Sequence, residues 1–334
     1  MLIKRNLPNN FVKSHKIYFE ILKQIEIPIP YLKYHGFSLL LDNGVLLNRK
    51  GFCSQSLLYD NRLHEKSFLP RIIKYLIKKI FSGNLSIRCS RKVKISVINE
   101  WTNNYFHWLT EALPRLIFVK EHSTSFQLLL PESYKQYHYV LESLRVLEIE
   151  IEWFPDGVIF LNQLLIPSRQ APFPAHYNPE YILKVHNSII TNVILNFQLG
   201  DRIYITRRNA EIRKIKNEDD VISLITAFGF TVVECEKLSF NEQVSVFYNS
   251  RVIMSIHGAG LTNMLFGKKG MIVYEFSLEN QCLDKCYYTL ADALQHNYFY
   301  QFCKSDNTMS FYQDSNLIVD LDTLRNQLNK LFAS

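Results

Sequence analysis

Residues 251–275, RVIMSIHGAGLTNMLFGKKGMIVYE, restrict what this chain can fold into more than any other stretch of its 334 residues. Positions 252–256 form an unbroken apolar run, as a strand covered on both faces of a parallel sheet requires. The run breaks at His257, Gly258, Ala259 and Gly260, where the lack of bulky side chains lets the backbone turn sharply and approach a ligand. Residues 261–266 have helical composition, so the turn is expected to feed a helix N-terminus, a geometry that holds anions. Residues 271–274 predict a further strand ending on Glu275, which would set a carboxylate at the carboxyl edge of the sheet, where α/β folds collect their ligands. A phosphate cradle beside a hydroxyl-binding carboxylate points to a nucleotide, although a tight strand-to-helix turn needs the same glycines.

A chain of this length suits two domains. No 18-residue apolar run is present and the first residues, MLIKRNLPNNFVKSHK, lack the apolar centre of a signal peptide, so the expectation is a cytoplasmic, non-spanning protein. Six scattered cysteines include Cys282 and Cys286 four apart with no second pair to complete a zinc site, and free thiols are expected. The net charge of +7 is uneven: residues 1–100 hold 18 Lys and Arg against 6 Asp and Glu, leaving 20 against 25 in the rest. A basic first portion suits an anionic membrane, a phosphorylated acceptor or a nucleic acid. No interleaving of stacking aromatics with the basic residues supports nucleic acid.

Along the chain, FSLLLDNGVLLN predicts a hairpin with a two-residue turn at Asn43-Gly44. Residues 67–81 predict an amphipathic helix with Leu69, Ile72, Ile73, Leu76, Ile77 and Ile80 on one face and Arg71, Lys74 and Lys78 opposite, suited to an anionic membrane surface or to a solvated domain face. Residues 103–120, NNYFHWLTEALPRLIFVK, predict a helix capped by Asn103 or Asn104 on which His107, Glu111 and Arg115 share one face. Such a row suits proton transfer beside an anion, and equally an i,i+4 ladder of ion pairs. Pro114 inside this helix removes a hydrogen bond at a cost of about 3 kcal/mol. Strands at 93–98, 126–130, 149–154 and 158–166, with a helix at 134–147, predict βαβ units. A Pro-rich linker at 168–179 and a long helix at 181–197 precede the second half. There, DRIYITRR predicts a strand delivering Arg207 and Arg208 to its edge, with Arg213 in the following loop. Helices at 217–228, 239–248, 281–294 and 317–332 alternate with strands at 231–234 and 298–302.

NYFHWLTEALPRL, RIYITRRNAEIRKIKNEDDV and EQVSVFYNSRVIMSIHGAGLTNMLFGKKGMIVYEF together resemble glycosyltransferase family 61, over residues 103–276. The resemblance implies a GT-B architecture, two Rossmann-like α/β domains facing across a cleft, and an inverting, metal-independent transfer from a nucleotide sugar. With no signal anchor read in the sequence, the expectation is the bacterial kind, associated with capsule and other surface polysaccharides, in the cytoplasm. The expected divisions are a domain at 1–175 that binds acceptor and carries a basic extension, a linker helix at 176–200, a donor domain at 201–310, and a terminal helix at 311–334 crossing back to the first domain. The resemblance places His257, Gly258, Ala259, Gly260 and Asn263 around the donor diphosphate, Arg207, Arg208 and Arg213 on its charge, and Glu275 on ribose. No metal and no other cofactor is expected, so guanidiniums and a helix N-terminus must meet the charge of the leaving group. Asp320-Leu-Asp322 has D-x-D spacing but lies outside the matched blocks and reads as a helix cap. His107 is the expected general base, oriented by Glu111, with Asn104 and Arg115 on the acceptor side. The acceptor is a saccharide or lipid-linked molecule, with peripheral contact at an anionic membrane. The competing readings are another GT-B-like sugar-nucleotide enzyme such as an epimerase, and a membrane-docked scaffold that binds nucleotide without turnover.

Overall fold

The structure is a computed structural model of the chain and describes residues 1–334 apart from 20–21, 58–65, 84, 89–91, 171–175, 279–284, 307–314 and 334. It divides into two units, one formed mainly by residues 26–189 and the other by 2–25 together with 190–334. The N-terminal extension, expected with the first domain, therefore belongs to the second unit. Polar and aromatic contacts hold it there: Asn9 N–H donates to the Tyr298 carbonyl at 2.8 Å, Asn10 Nδ2 to the Tyr300 carbonyl at 2.7 Å, and Phe19 packs 4.8 Å from the Tyr300 ring. The predicted linker helix runs over Pro179–Ile190 and is shorter than its apolar pattern suggests. It buries Tyr181, Ile182, Val185 and Ile189 within the first unit. Part of the predicted Pro-rich linker, residues 171–175, and the start of the helix expected at 281–294 lie outside the described residues.

The first unit contains strands β1 (Leu32–His35), β2 (Ser38–Leu41), β3 (Leu46–Asn48), β4 (Gly51–Phe52), β5 (Leu85–Arg88), β6 (Lys94–Ile95), β7 (Gln127–Pro131), β8 (Ile151–Phe154), β9 (Val158–Leu161) and β10 (Leu164–Pro167). One sheet has the order β8-β7-β6-β10-β1, parallel except for β1, and the other the order β4-β3-β2-β9-β5. Residues 158–166, expected as one strand, are two: β9 pairs with Leu41 to Ser38, and β10 pairs with His35 to Leu32 in the other sheet. Ile159, Leu161, Leu164 and Ile166 meet Leu129 and Phe154 in a single buried cluster. Leu41 pairs with Val45 across the hairpin, so its loop is the three residues Asp42, Asn43 and Gly44 rather than two. Gly44 has φ +85°, and a Cβ there would meet the Ile98 carbonyl oxygen at 2.5 Å, so both conformation and space demand glycine.

The second unit holds β11 (Arg202–Ile205), β12 (Phe230–Val233), β13 (Val252–Ile256), β14 (Ile272–Leu278), β15 (Asn297–Ser305) and β16 (Leu317–Ile318), in the order β12-β11-β13-β14-β15-β16. All pair in parallel except β16. Chain order reverses between β11 and β13, whose carboxyl ends border the crevice that such sheets open to ligands. The helix Phe240–Asn249 begins with a reciprocal cap, Ser239 Oγ accepting from Glu242 N–H while Glu242 accepts from Ser239 N–H. The terminal segment starts as β16 before the helix Leu321–Phe332, which Asp320 caps by accepting from Thr323 N–H at 2.7 Å, as its spacing implied. That helix buries Leu324 and Leu328 in the core of the second unit, with Tyr204, Val221, Met254 and Tyr274, instead of crossing to the first domain. Among the described residues, no helix is long and apolar enough to cross a membrane.

Candidate functional site

In the second unit, β11 and β13 end side by side, and Thr206-Arg207 and His257-Gly258 continue them. Gly258 is extended, with φ 175°, a conformation open to any residue; space is what demands glycine here. A Cβ at Gly258 would stand 2.7 Å from Arg207 Nη1 and 3.1 Å from its Cδ and Cζ, so the missing side chain is where the Arg207 guanidinium lies. The next turn, Ala259–Phe266, is a 3₁₀ helix, and a Cβ at Gly260 would meet Ile205 Cγ2 at 2.9 Å. The glycines thus bring the turn against the end of β11.

Among the described residues, the Arg207 hydrogen bonds are long contacts with carbonyls, Nε to Arg213 O at 3.4 Å and Nη2 to Ile212 O at 3.5 Å. Burial, then the like charge of Arg213, pulls the Arg207 pKa below its ordinary value, opposed by Tyr287 and Glu236. Arg213 itself is in the left-handed region at φ 57°, uncommon for a residue with a side chain, and its buried Nε makes no hydrogen bond with a described residue. Neither guanidinium forms an ion pair with a described carboxylate, whereas Arg208 points into one with Asp219 at 2.6 Å and another with Glu218 at 3.5 Å. Two neighbouring, partly buried guanidiniums at a switch point repel each other until an anion joins them. The structure therefore brings Arg207, Arg213 and Gly258 together and draws Arg208 away.

Glu275 does not terminate its strand. β14 runs on to Leu278, leaving Glu275 inside the sheet and 2% exposed, with both oxygens engaged. Oε1 meets His257 Nδ1 at 2.5 Å and Oε2 accepts from the Tyr298 hydroxyl at 2.6 Å. Burial, then the Glu275 charge, holds the Tyr298 hydroxyl protonated, far above its ordinary pKa. The carboxylate expected to bind ribose instead fixes the ring of His257, which also packs edge-on to Tyr287 at 4.9 Å. Asn263 is fully buried and donates to Gln243 Oε1 at 3.1 Å, tying the turn to the helix Phe240–Asn249. Ala259 and Gly260 remain partly accessible at the rim. Tyr287 and Tyr298 carry no signal in sequence, since each is one of 19 tyrosines in an ordinary apolar pattern.

In the first unit, Asn104 caps its helix by accepting from Phe106 N–H at 2.9 Å. The helix changes from α (Tyr105–His107) to π (Trp108–Ala112) and back to α (Leu113–His122). The wider turn comes just before Pro114 and relieves the clash that a proline ring makes with the carbonyl four residues earlier; single π turns of this kind recur at functional sites. His107 Nδ1 lies 2.7 Å from Glu111 Oε1, and Glu111 Oε2 accepts from Asn99 Nδ2 at 3.2 Å. An ionised carboxylate only accepts, so Nδ1 carries the hydrogen, and in the neutral ring the lone pair is then on Nε2. The side chains of His107 and Glu111 are 15% and 17% exposed, and the Trp101 ring lies 5.0 Å from that of His107. Asn99 was missed from sequence, although its place between β6 and the helix is where catalytic loops of α/β folds lie.

Arg115 departs from expectation. It is 2% exposed and donates to three carbonyls, those of Val97 at 2.9 Å, Gln55 at 3.1 Å and Pro167 at 2.8 Å. Burial, then Arg169, lowers its pKa to about 10. It ties the end of β10 to the loop after β6 and to the turn at Ser54–Ser56, and at 2% exposure offers no surface to an acceptor.

Together these features describe an α/β protein whose parallel sheet brings Arg207 against Gly258, with Arg213 beside it, at its switch point. Residues 105–274 match the sequence model of the family described as Glycosyltransferase 61, and the chain belongs to that family. Similar proteins include the beta-1,2-xylosyltransferase XAX1 of Oryza sativa subsp. japonica, 24% identical over 229 residues that make up 59% of this chain and 40% of the relative. The EGF domain-specific O-linked N-acetylglucosamine transferases of Xenopus laevis and Mus musculus are 38% and 34% identical over 96 and 95 residues, 27% of this chain and 18% of each relative. The chain thus spans less than half the length of the curated relatives it matches.

Proposed function

We propose that this chain is a glycosyltransferase of GT-B architecture that moves a sugar, with inversion and without a metal, from a nucleotide sugar to a saccharide or lipid-linked acceptor, in surface polysaccharide synthesis at the cytoplasmic side of a membrane. The observation that carries the reading is Arg207 over Gly258 with Arg213 beside it, two guanidiniums that form no ion pair with a described carboxylate and stand where α/β sheets bind ligands. A donor diphosphate would join them. As the bond from the anomeric carbon to the diphosphate oxygen breaks, the growing negative charge is met by both guanidiniums in a low-dielectric recess. His257, held by Glu275, which in turn accepts from the Tyr298 hydroxyl, anchors the start of the turn that positions Gly258.

The acceptor hydroxyl oxygen forms the new bond to the anomeric carbon, and its proton passes to His107 Nε2. Glu111 holds the opposite ring nitrogen and stabilises the imidazolium that forms, while Asn99 fixes Glu111. The test is incubation with a panel of nucleotide sugars, reading nucleoside diphosphate release with and without saccharide and lipid-linked acceptors, before and after EDTA. Release that requires acceptor and survives EDTA is expected. Release that is lost in EDTA and restored by Mg²⁺ or Mn²⁺ refutes the metal-free mechanism; conversion of the donor without acceptor indicates an epimerase, and binding without turnover a scaffold.

A further inference from the structure

Among the described residues, the apolar contacts that hold the helix Phe68–Phe81 in the first unit lie along one edge. Phe68 and Ile72 are buried in a cluster with Leu41, Val45, Leu57 and Val158, against which Tyr75 and Leu76 pack partly. The Tyr75 hydroxyl bonds to Asp42, and Lys79 Nζ lies 3.2 Å from the same carboxylate, so this edge is fixed by polar as well as apolar contacts. At about 100° per residue, the next edge of the helix is the row Leu69, Ile73, Ile77 and Ile80. These four are 38, 51, 50 and 47% exposed, and Phe81 at the end of the row is 87% exposed. A folded chain seldom leaves so continuous an apolar row in water without an occupant.

The far border of the row is basic. Arg71 reaches Glu100 at 3.2 Å, while Lys74 and Lys78 make no ion pair with a described residue. We propose that this row seats on the surface of an anionic lipid bilayer, with its apolar side chains entering the boundary between headgroups and acyl chains and Lys74 and Lys78 held at headgroup level. A helix of 14 residues is about 21 Å long, too short to span a bilayer of about 30 Å and suited to lying in its interface. The lysine flank is what selects a lipid surface of negative charge over a second copy of this basic chain, which would set like charges together. The inference rests on the foregoing reading only in that a lipid-linked acceptor would be met at the same surface; the donor groups lie in the other unit, so vesicle binding and donor binding fail separately.

The experiment is cosedimentation of the full chain with phosphatidylcholine vesicles that contain or lack phosphatidylglycerol. Wild type is expected to bind the anionic vesicles. Lys74→Glu with Lys78→Glu should lower that binding about 30-fold or more at low salt and much less at high salt, since each basic residue near an anionic surface is worth about a fivefold factor. Ile73→Gln with Ile77→Gln and Phe81→Gln should lower it at least about tenfold at both salt concentrations, with nucleoside diphosphate affinity unchanged. Ile77→Gln alone replaces the triple variant if the latter melts early. Wild type that ignores anionic vesicles, or variants that bind as wild type does, overturns the proposal. So does sedimentation velocity in which the apolar triple dissociates a dimer while vesicle binding persists, because the occupant is then a second copy.

Discussion

Substituting Gly258 by alanine tests whether this glycine serves Arg207 or the ligand itself. The backbone there is extended, so alanine introduces no strain, and the melting temperature should stay within a few degrees of wild type. The new methyl group would stand 2.7 Å from Arg207 Nη1 and 3.1 Å from Cδ and Cζ, well inside contact distance. The guanidinium must swing away, because it is the movable partner. Losing one charge-assisted hydrogen bond to a diphosphate costs about 1.5–3 kcal/mol, so the Kd of a nucleoside diphosphate should rise by about 10- to 150-fold. Calorimetry on wild type, Gly258→Ala, Arg207→Ala and the double variant closes a thermodynamic cycle. If Gly258 acts through Arg207, alanine at 258 adds almost nothing once Arg207 is gone. Equal losses in both backgrounds would refute that reasoning and place the phosphate directly on Gly258, and unchanged affinity in the single variant would move the anion site elsewhere.

Three further outcomes are expected. His107→Ala should lower kcat by about 10²- to 10⁴-fold with donor affinity nearly unchanged, and turnover that survives His107→Ala but not Glu111→Gln would make the carboxylate the base. Arg115→Met should cost about 3–5 kcal/mol in urea unfolding, because three carbonyls lose their buried donor; a loss below about 1 kcal/mol would show that solvent reaches them. His35 has its pKa lowered from 6.5 by burial, then by Lys33, and Asn48 Nδ2 donates to its Nδ1 at 3.0 Å, where a second proton has no acceptor. The unfolded chain therefore takes up a proton as pH falls through 6.5 while the folded one resists, so this stability is fully present above that range and declines below it. His35→Gln should lose less stability than wild type between about pH 7.5 and pH 5.5, and parallel pH profiles would exclude the histidine as the cause.

The buried strand Val252–Ile256, the cap at Asp320 and the amphipathic helix Phe68–Phe81 were all readable in the sequence. Each depends on residues within a few positions of one another, where periodicity and capping act. The pairing of His107 with Glu111 was readable for the same reason, since one helical turn separates them. The π turn ahead of Pro114 was not, because a misplaced proline announces that a helix must adapt without specifying how.

A parallel α/β sheet with a glycine turn after Ile256 and arginines after Ile205, and the family in which those blocks occur together, were legible from residue order. What each group touches there depends on neighbours that folding brings from distant parts of the chain. Arg207 covers Gly258 because β11 and β13 are neighbours, although about fifty residues of chain separate them. Glu275 holds His257 and Tyr298 because parallel pairing sets β14 between β13 and β15, and a carboxylate buried within a sheet must find donors on the strands beside it. Arg115 shares a helix with His107 yet is buried, because the ends of β10 and of the loop after β6 bring carbonyls that only a long, forked donor can satisfy.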